Sequence, residues 1–228
     1  MIENIAARSA GSILAVDADP NSSLPDLLGV KDPETIVGIV EDISKNMDKI
    51  PHGVTKDRFI EMRVHQTLTE GKDYDLMVMG RPEGPGCYCY VNNLLRDLIG
   101  KITKTYDFVV IDNAAGMEHI SRRTMRRIDK LVLVSDCSVM GIRSSKRIYD
   151  LAVELGIKIG EVFLVVNKVT DSTEGLDDEI RKSALTLAGV VPHSEPLKRI
   201  SISNTPISGL KDKNITDSVN KIWSRICR

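Results

Sequence analysis

The chain has no strong charge of either sign, no long apolar run, no internal repeat and few cysteines. Its 228 residues carry 31 basic and 32 acidic side chains, a formal net charge of −1. Nothing in that balance points to a nucleic-acid partner, which a marked basic excess would attract. No stretch approaches the length of a membrane span, and Met1-Ile2-Glu3-Asn4 is not a basic region leading into an apolar one. A cytoplasmic location without stable membrane association is expected. The four cysteines, Cys87, Cys89, Cys137 and Cys227, form no regular framework and argue against a secreted disulfide scaffold. The length is ample for a sizeable core.

What is present is an alternation. Short β-branched runs at 13–17, 75–79, 108–112, 130–135 and 162–167, with a weaker one at Val190-Val191, read as strands. Amphipathic patterns at 91–106, 138–155 and 176–187 read as helices between them, and 45–56 reads as a loop. Near-continuous apolar strands alternating with helices predict an α/β fold. Its central sheet is mostly parallel and has helices on both faces. No convincing domain boundary breaks the chain, so a single domain over 1–228 is expected.

In such a sheet ligands collect beyond the carboxyl ends of the strands. Three strands finish there in polar residues: Asp17-Ala18-Asp19-Pro20-Asn21, Asp112-Asn113-Ala114-Ala115-Gly116 and Asn167-Lys168-Val169. A carboxylate closing an apolar strand suits a Mg²⁺–phosphate site, because it is a hard anion on a rigid support. Gly116 would let backbone approach a terminal phosphate. Asn-Lys after a buried strand suits nucleobase recognition by a side-chain amide. Guanine-specific sites of that type add an Asp two residues past the Lys. That position is Thr170, which favours adenine, although Asp171 is the next residue. For any one strand the Asp could be a mere cap or turn residue. The combination of three is what points to a nucleotide.

Gly84-Pro85-Gly86-Cys87-Tyr88-Cys89-Tyr90 adds a second chemistry. Residues i and i+2 of an extended segment point to one side, so both thiols can face one partner. A closed metal site usually wants four ligands, and a twofold-symmetric dimer would supply the other two. Four thiolates suit Zn²⁺ if tetrahedral or Ni²⁺ if square planar. Two incidental thiols, or a redox pair, are the alternatives.

The Asp-Ala-Asp-Pro-Asn, Val-Ile-Asp-Asn-Ala-Ala-Gly-Met-Glu-His and Val-Val-Asn-Lys-Val segments resemble the deviant-Walker ATPases related to nitrogenase iron protein and MinD. With Gly-Cys-Tyr-Cys-Tyr added, the resemblance is to the CooC-type nickel-insertion ATPases that mature carbon monoxide dehydrogenase. It runs from about Ile13 to the C-terminus. It implies that Asp19 orients the attacking water with Asp17 as its supporting neighbour. Asp112 would lie near Mg²⁺, Asn167 and Lys168 would serve adenine, and the backbone around Pro192 would close over the base. It also implies that Cys87 and Cys89 form one nickel site across a homodimer, with ATP driving the dimer and carbon monoxide dehydrogenase as client.

The chain departs from that pattern at its start. Family members open with a strand and a glycine-rich phosphate loop. Met1–Gly11 contains none and reads as the tail of a helix, with Gly11 a plausible C-terminal cap. The expectation is a chain truncated at its N-terminus and lacking one central strand. The alternative is a degenerate relative without nucleotide turnover.

Further features each carry two readings. Arg122, Arg123, Arg126 and Arg127 form a basic stripe, either a solvated face or a dock for an acidic partner. Ile215, Val219, Ile222 and Ile226 are the apolar stripe of a last helix that packs on the sheet, or of a membrane-binding tail. His119 and His193 are structural histidines or metal ligands. Two functions of other classes stay open: a partitioning or positioning ATPase without metal, and a metal-binding scaffold without ATPase activity.

Overall fold

The computed structural model describes residues 2–8, 11–81, 100–114 and 127–227. Residues 2–114 and 204–208 form one compact unit, and 127–203 with 209–227 form another. Both are layered α/β structures, in agreement with the fold expected from the alternation of runs.

In the first unit the chain runs through α1 (Ile2–Ala6), β1 (Ile13–Asp17), α2 (Leu24–Leu28), α3 (Ile36–Lys45), α4 (Lys56–Gln66), β2 (Thr69–Glu70), β3 (Asp75–Val78) and β4 (Phe108–Asp112). The sheet order is β2-β3-β1-β4, with β1 parallel to both its neighbours and β2 antiparallel to β3. Every residue of β1 is buried, because side chains alternate and both faces are covered. Leu14 and Val16 pack with Ile36, Ile39, Val40 and Ile43 of α3 and with Ile60 and Val64 of α4. Ile13 and Ala15 point the other way and are equally buried. Thr35 and Thr55 cap α3 and α4 by accepting from the amides of Gly38 and Arg58.

Gly11 is not a helix cap. The helix ends at Ala6, and Gly11 lacks the left-handed φ a cap requires. Its constraint is proximity: a Cβ there would lie 2.8 Å from Asp107 Cβ. The Asp107 carboxylate draws the chain in by accepting from both Ser12 N and Ser12 Oγ.

The second unit holds β5 (Arg127–Ser135), α5 (Val139–Glu154), β6 (Lys158–Val169), α6 (Asp177–Ser183), β7 (Thr186–Pro192), α7 (Glu195–Ser203) and α8 (Lys213–Ile226). Its sheet is parallel, in the order β5-β6-β7. Leu164 and Val166 of β6 face Ile142 of α5 and Ile180 of α6. The alternate residues Phe163 and Val165 face Ile222 and Ile226 of α8. The helix expected over 176–187 stops at Ser183. Ser183 Oγ donates to Ile180 O and accepts from Leu185 N, and Ala184 turns left-handed at φ 55°. The chain then enters β7 four residues before the valines that marked it.

The last helix packs on the sheet. Ile215, Ile222 and Ile226 are buried, and Asp212 caps the helix by accepting from Asn214 N and Ile215 N. At its other end Lys130 Nζ donates to Ile226 O while pairing with Glu161 at 2.7 Å. Arg225 Nη1 donates to the Leu187 and Ala188 carbonyls at 3.2 Å each, tying the helix to β7.

β4 and β5, consecutive among the described strands, are each the outer strand of its own sheet. The apolar run Phe108–Ile111 of β4 is only half-buried, and Val134 of β5 is 63% exposed. Continuous apolar character is the mark of a strand covered on both sides, so these two edges are more apolar than an outer strand usually is.

Candidate functional site

In the first unit the parallel register sets Asp17 beside Asp112 at the carboxyl edge. The ladder continues past the strands, with Ala18 N donating to Asp112 O at 2.8 Å and Met79 N to Asp17 O at 2.9 Å. Asp17 is fully buried. One of its oxygens accepts from Asp19 N at 2.9 Å and the other from Leu24 N at 3.0 Å. Its role is therefore positional: it folds the 18–23 loop back and fixes the start of α2. Asp19 in turn accepts from Asn21 N through Oδ1 at 2.8 Å, which leaves Oδ2 turned to no partner among the described residues.

Electrostatics mark the same edge. Burial pushes the Asp17 carboxyl above its ordinary value, over the opposing pull of two amides, and Asp19 adds to the rise. The Asp112 carboxyl is raised first by desolvation and then by Asp17 and Asp19. Like charges gathered at a strand end disfavour their own ionisation. A carboxyl whose folded pKa lies above its unfolded one favours the folded state when protonated. That contribution is lost as pH rises from the ordinary value of 3.8 through the folded value. Asp112 is itself exposed, and solvent screens the effect. Asp112→Asn is accordingly expected to raise the melting temperature by only about a degree at neutral pH, with the gain shrinking toward about pH 3. Calorimetry at the two pH values checks it, and a variant that melts no higher than the parent at neutral pH contradicts it.

In the second unit β6 carries an irregularity between Val166 and Val169. There Lys168 adopts φ 57°, a left-handed conformation uncommon for a residue with a side chain. Asn167 Oδ1 accepts from Lys168 N at 2.8 Å, which orients the amide, and its N–H groups and second oxygen lone pair remain for a ligand. Val169 pairs with Pro192, and His193 N donates to Val169 O at 2.8 Å. Asn167, Lys168 and Pro192 thus share one sheet edge. Thr170 Oγ1 donates to Asp171 at 3.3 Å on the exposed side of the turn. His193 pairs with Glu195 at 3.0 Å.

A fourth polar strand end went unread in the sequence. β5 ends at Ser135, the ladder partner of Val166, and its side chain donates to Asp136 O at 2.7 Å. Ser138 Oγ donates to Asp136 Oδ1 at 2.6 Å and accepts from Gly141 N, capping α5. A Cβ on Gly141 would sit 2.1 Å from Asp136 Oδ1 and 2.5 Å from Ser135 Oγ, so a side chain there would displace both polar groups. The signal was Ser-Asp-x-Ser with a following Gly, directly after a β-branched run.

Cys87, Cys89, Gly116, His119 and the arginines at 122, 123 and 126 lie outside the described residues. β3 leaves its sheet at the same edge as Asp17 and Asp112, through Gly80 at φ 78°, packed against Thr35, and then Arg81. Cys87 follows Arg81 by six positions and Cys89 by eight. Among the described residues no three His, Cys, Asp or Glu side chains converge on a point that could hold a metal, and no helix is long and apolar enough to cross a membrane.

Carboxylates at the strand ends of one unit, and an Asn-Lys turn at a strand end of the other, are each features a nucleotide-dependent ATPase would use. No family model matches the chain. It is 42% identical over 224 residues to an "Uncharacterized ATP-binding protein" of Methanocaldococcus jannaschii, covering 96% of this chain and 88% of that one. It is 28% identical over 204 residues to the carbon monoxide dehydrogenase accessory protein CooC of Rhodospirillum rubrum, covering 82% and 74%. Among solved structures the cell division ATPase MinD of Pyrococcus furiosus superposes with a TM-score of 0.70 at 17% identity, over 98% of this chain and 88% of that one. The chain belongs to the family of that Methanocaldococcus jannaschii ATP-binding protein, by family an ATPase, and it shares its fold with MinD.

Proposed function

We propose that this protein is a metal-delivering member of its family: an ATP-dependent homodimer that binds nickel through Cys87 and Cys89 and hands it to carbon monoxide dehydrogenase. The observation that carries the reading is the Cys-x-Cys pair, a few residues beyond a strand that ends at the same edge as Asp17 and Asp112. A thiol loop rooted there would respond to the state of a nucleotide bound by those carboxylates. The likeness to the CooC accessory protein over 82% of the chain supports the client and the metal.

The residues present fit Mg²⁺. Asp112 is a hard donor, and a cation beside it would relieve the crowding of three carboxylates, leaving the unengaged oxygen of Asp19 for water. Mg²⁺ commonly takes one or two carboxylates, with waters and phosphate oxygens completing its shell, so a preformed all-protein cage is not required. When bound, Mg²⁺ would neutralise charge on the transferring phosphoryl group. Asp17 would hold the Asp19 loop, Asp19 would orient the attacking water, Gly116 would admit the terminal phosphate, and Asn167 with Lys168 and Pro192 would serve adenine. In a membrane-positioning protein α8 would be the element to bind lipid, and here its apolar stripe is already buried on the sheet.

The test is a nickel titration of the purified chain, reading thiolate charge-transfer absorbance together with mass by sedimentation. Saturation at about half a nickel per chain, on a dimer, is the expected result for a shared four-thiolate site. Zn²⁺ competing at the same stoichiometry would leave the site intact and change only the cargo. Binding by monomer, or none, overturns the reading.

A further inference from the structure

On the surface of the second unit, α5 and α6 enclose a groove of about 220 Å³ lined by Arg143, Lys146, Arg147, Glu179, Lys182 and Ser183. Four of the six are cations and one is an acid. That acid is already committed: Arg143 Nε and Nη2 reach the two Glu179 oxygens at 2.8 and 3.1 Å, a fork that braces α6 against α5. The Arg143 guanidinium, and after it Lys182, hold the Glu179 carboxyl below its ordinary range, so the brace stays ionised at neutral pH. Lys146 is paired along its own helix with Asp150. Arg147 and Lys182 are exposed and have no carboxylate within ion-pair distance among the described residues. Ser183 at the floor is buried, its hydroxyl bonded to Ile180 O and Leu185 N, and has nothing left to offer a ligand.

The cations form a row. Arg143, Lys146 and Arg147 stand at i, i+3 and i+4 on one face of α5, spanning about 6 Å of helix rise, and Lys182 faces them from α6. A single small anion would meet only part of that row, in a position open to solvent where isolated charge pairs are worth little. A chain with carboxylates at successive positions can engage the unpaired Arg147 and Lys182 together, while the braced Arg143 and Lys146 add to the same positive field. Met140, 61% exposed and one turn before Arg143, adds an apolar margin. We propose that this groove is the docking surface for an acidic segment of a protein partner. It uses none of the residues assigned to nucleotide or nickel, so it stands or falls separately from that reading.

The experiment is fluorescence anisotropy with a short fluorescein-labelled oligoglutamate peptide at low salt, on the full chain and on the double variant R147E/K182E. Neither residue makes the Arg143–Glu179 fork itself. Circular dichroism of the variant is compared with the parent, with R147Q/K182Q, which puts no like charge beside Glu179, as the second variant. The parent should bind saturably and lose affinity as salt rises, and the variant should bind at least about tenfold more weakly. An oligolysine peptide should show the reverse preference. Unchanged oligoglutamate binding by the variant overturns the proposal. Displacement of the peptide by equimolar inorganic pyrophosphate also overturns it, because it assigns the groove to a small anion.

Discussion

Cys87→Ser, or Cys89→Ser, is expected to abolish stoichiometric nickel binding, although each removes only one thiol per chain. In a site shared across a twofold axis every substitution counts twice, so a single change takes away two of four thiolates. The remaining pair cannot close the coordination shell, and a serine hydroxyl is a hard, protonated substitute for a soft anionic donor. Removal of an outer-shell partner of a metal site costs about 10–100-fold in affinity. Loss of two direct ligands should exceed that, and the charge-transfer band should vanish with them. Cys137→Ser and Cys227→Ser are the controls. The Cys137 thiol is engaged with Ser172 O at 3.7 Å, and burial pushes the Cys227 thiol above its ordinary value, so it stays protonated. Retained binding at half stoichiometry in either Cys87 or Cys89 variant would sink the shared-site account.

The strands that locate the carboxylates were legible because they are short, apolar and closed by a charge. β1 and β4 run over 13–17 and 108–112, as the sequence reading has them. β6 is legible only at its centre. It begins at Lys158, and Lys158, Gly160 and Glu161 at its start are exposed, held by ladder pairing from Arg127 opposite Lys158 onward and not by burial. α3 and α4 went unread, although the loop between them was found. The register partner of Asp17 could be guessed from two similar strand ends, but its double acceptor role could not. That role depends on Leu24 N returning to within 3.0 Å, which is a property of the loop's path. Asp136 was missed for the opposite reason. The strand reading over 130–135 has the right end but misses its start at Arg127, and the carboxylate stands one residue past that end, outside the apolar run that marks the others.

Ile222→Ala is expected to destabilise the protein by about 2–5 kcal/mol, the range for removing a buried Ile from a well-packed site. Ile222 is 3% exposed and packs with Phe163, Val165, Ala188 and Ile226, so it joins α8 to one face of the β5-β6-β7 sheet. Ile202→Ala is the comparison: that side chain is 77% exposed, and its loss should cost about 0.5 kcal/mol or less. Gly189 makes the prediction sharper. A Cβ at that position would lie 2.8 Å from Ile222 Cγ1, so Gly189→Ala alone should overpack the contact and cost about 1–3 kcal/mol. The atom it collides with is absent from the Ile222→Ala side chain. The double variant should therefore be less destabilised than the sum of its parts, since a methyl on β7 partly fills the space left on α8. Denaturant midpoints of the four proteins measure that coupling. Additive effects would mean that α8 shifts to close the gap, and that the stripe does not fix the helix where it lies.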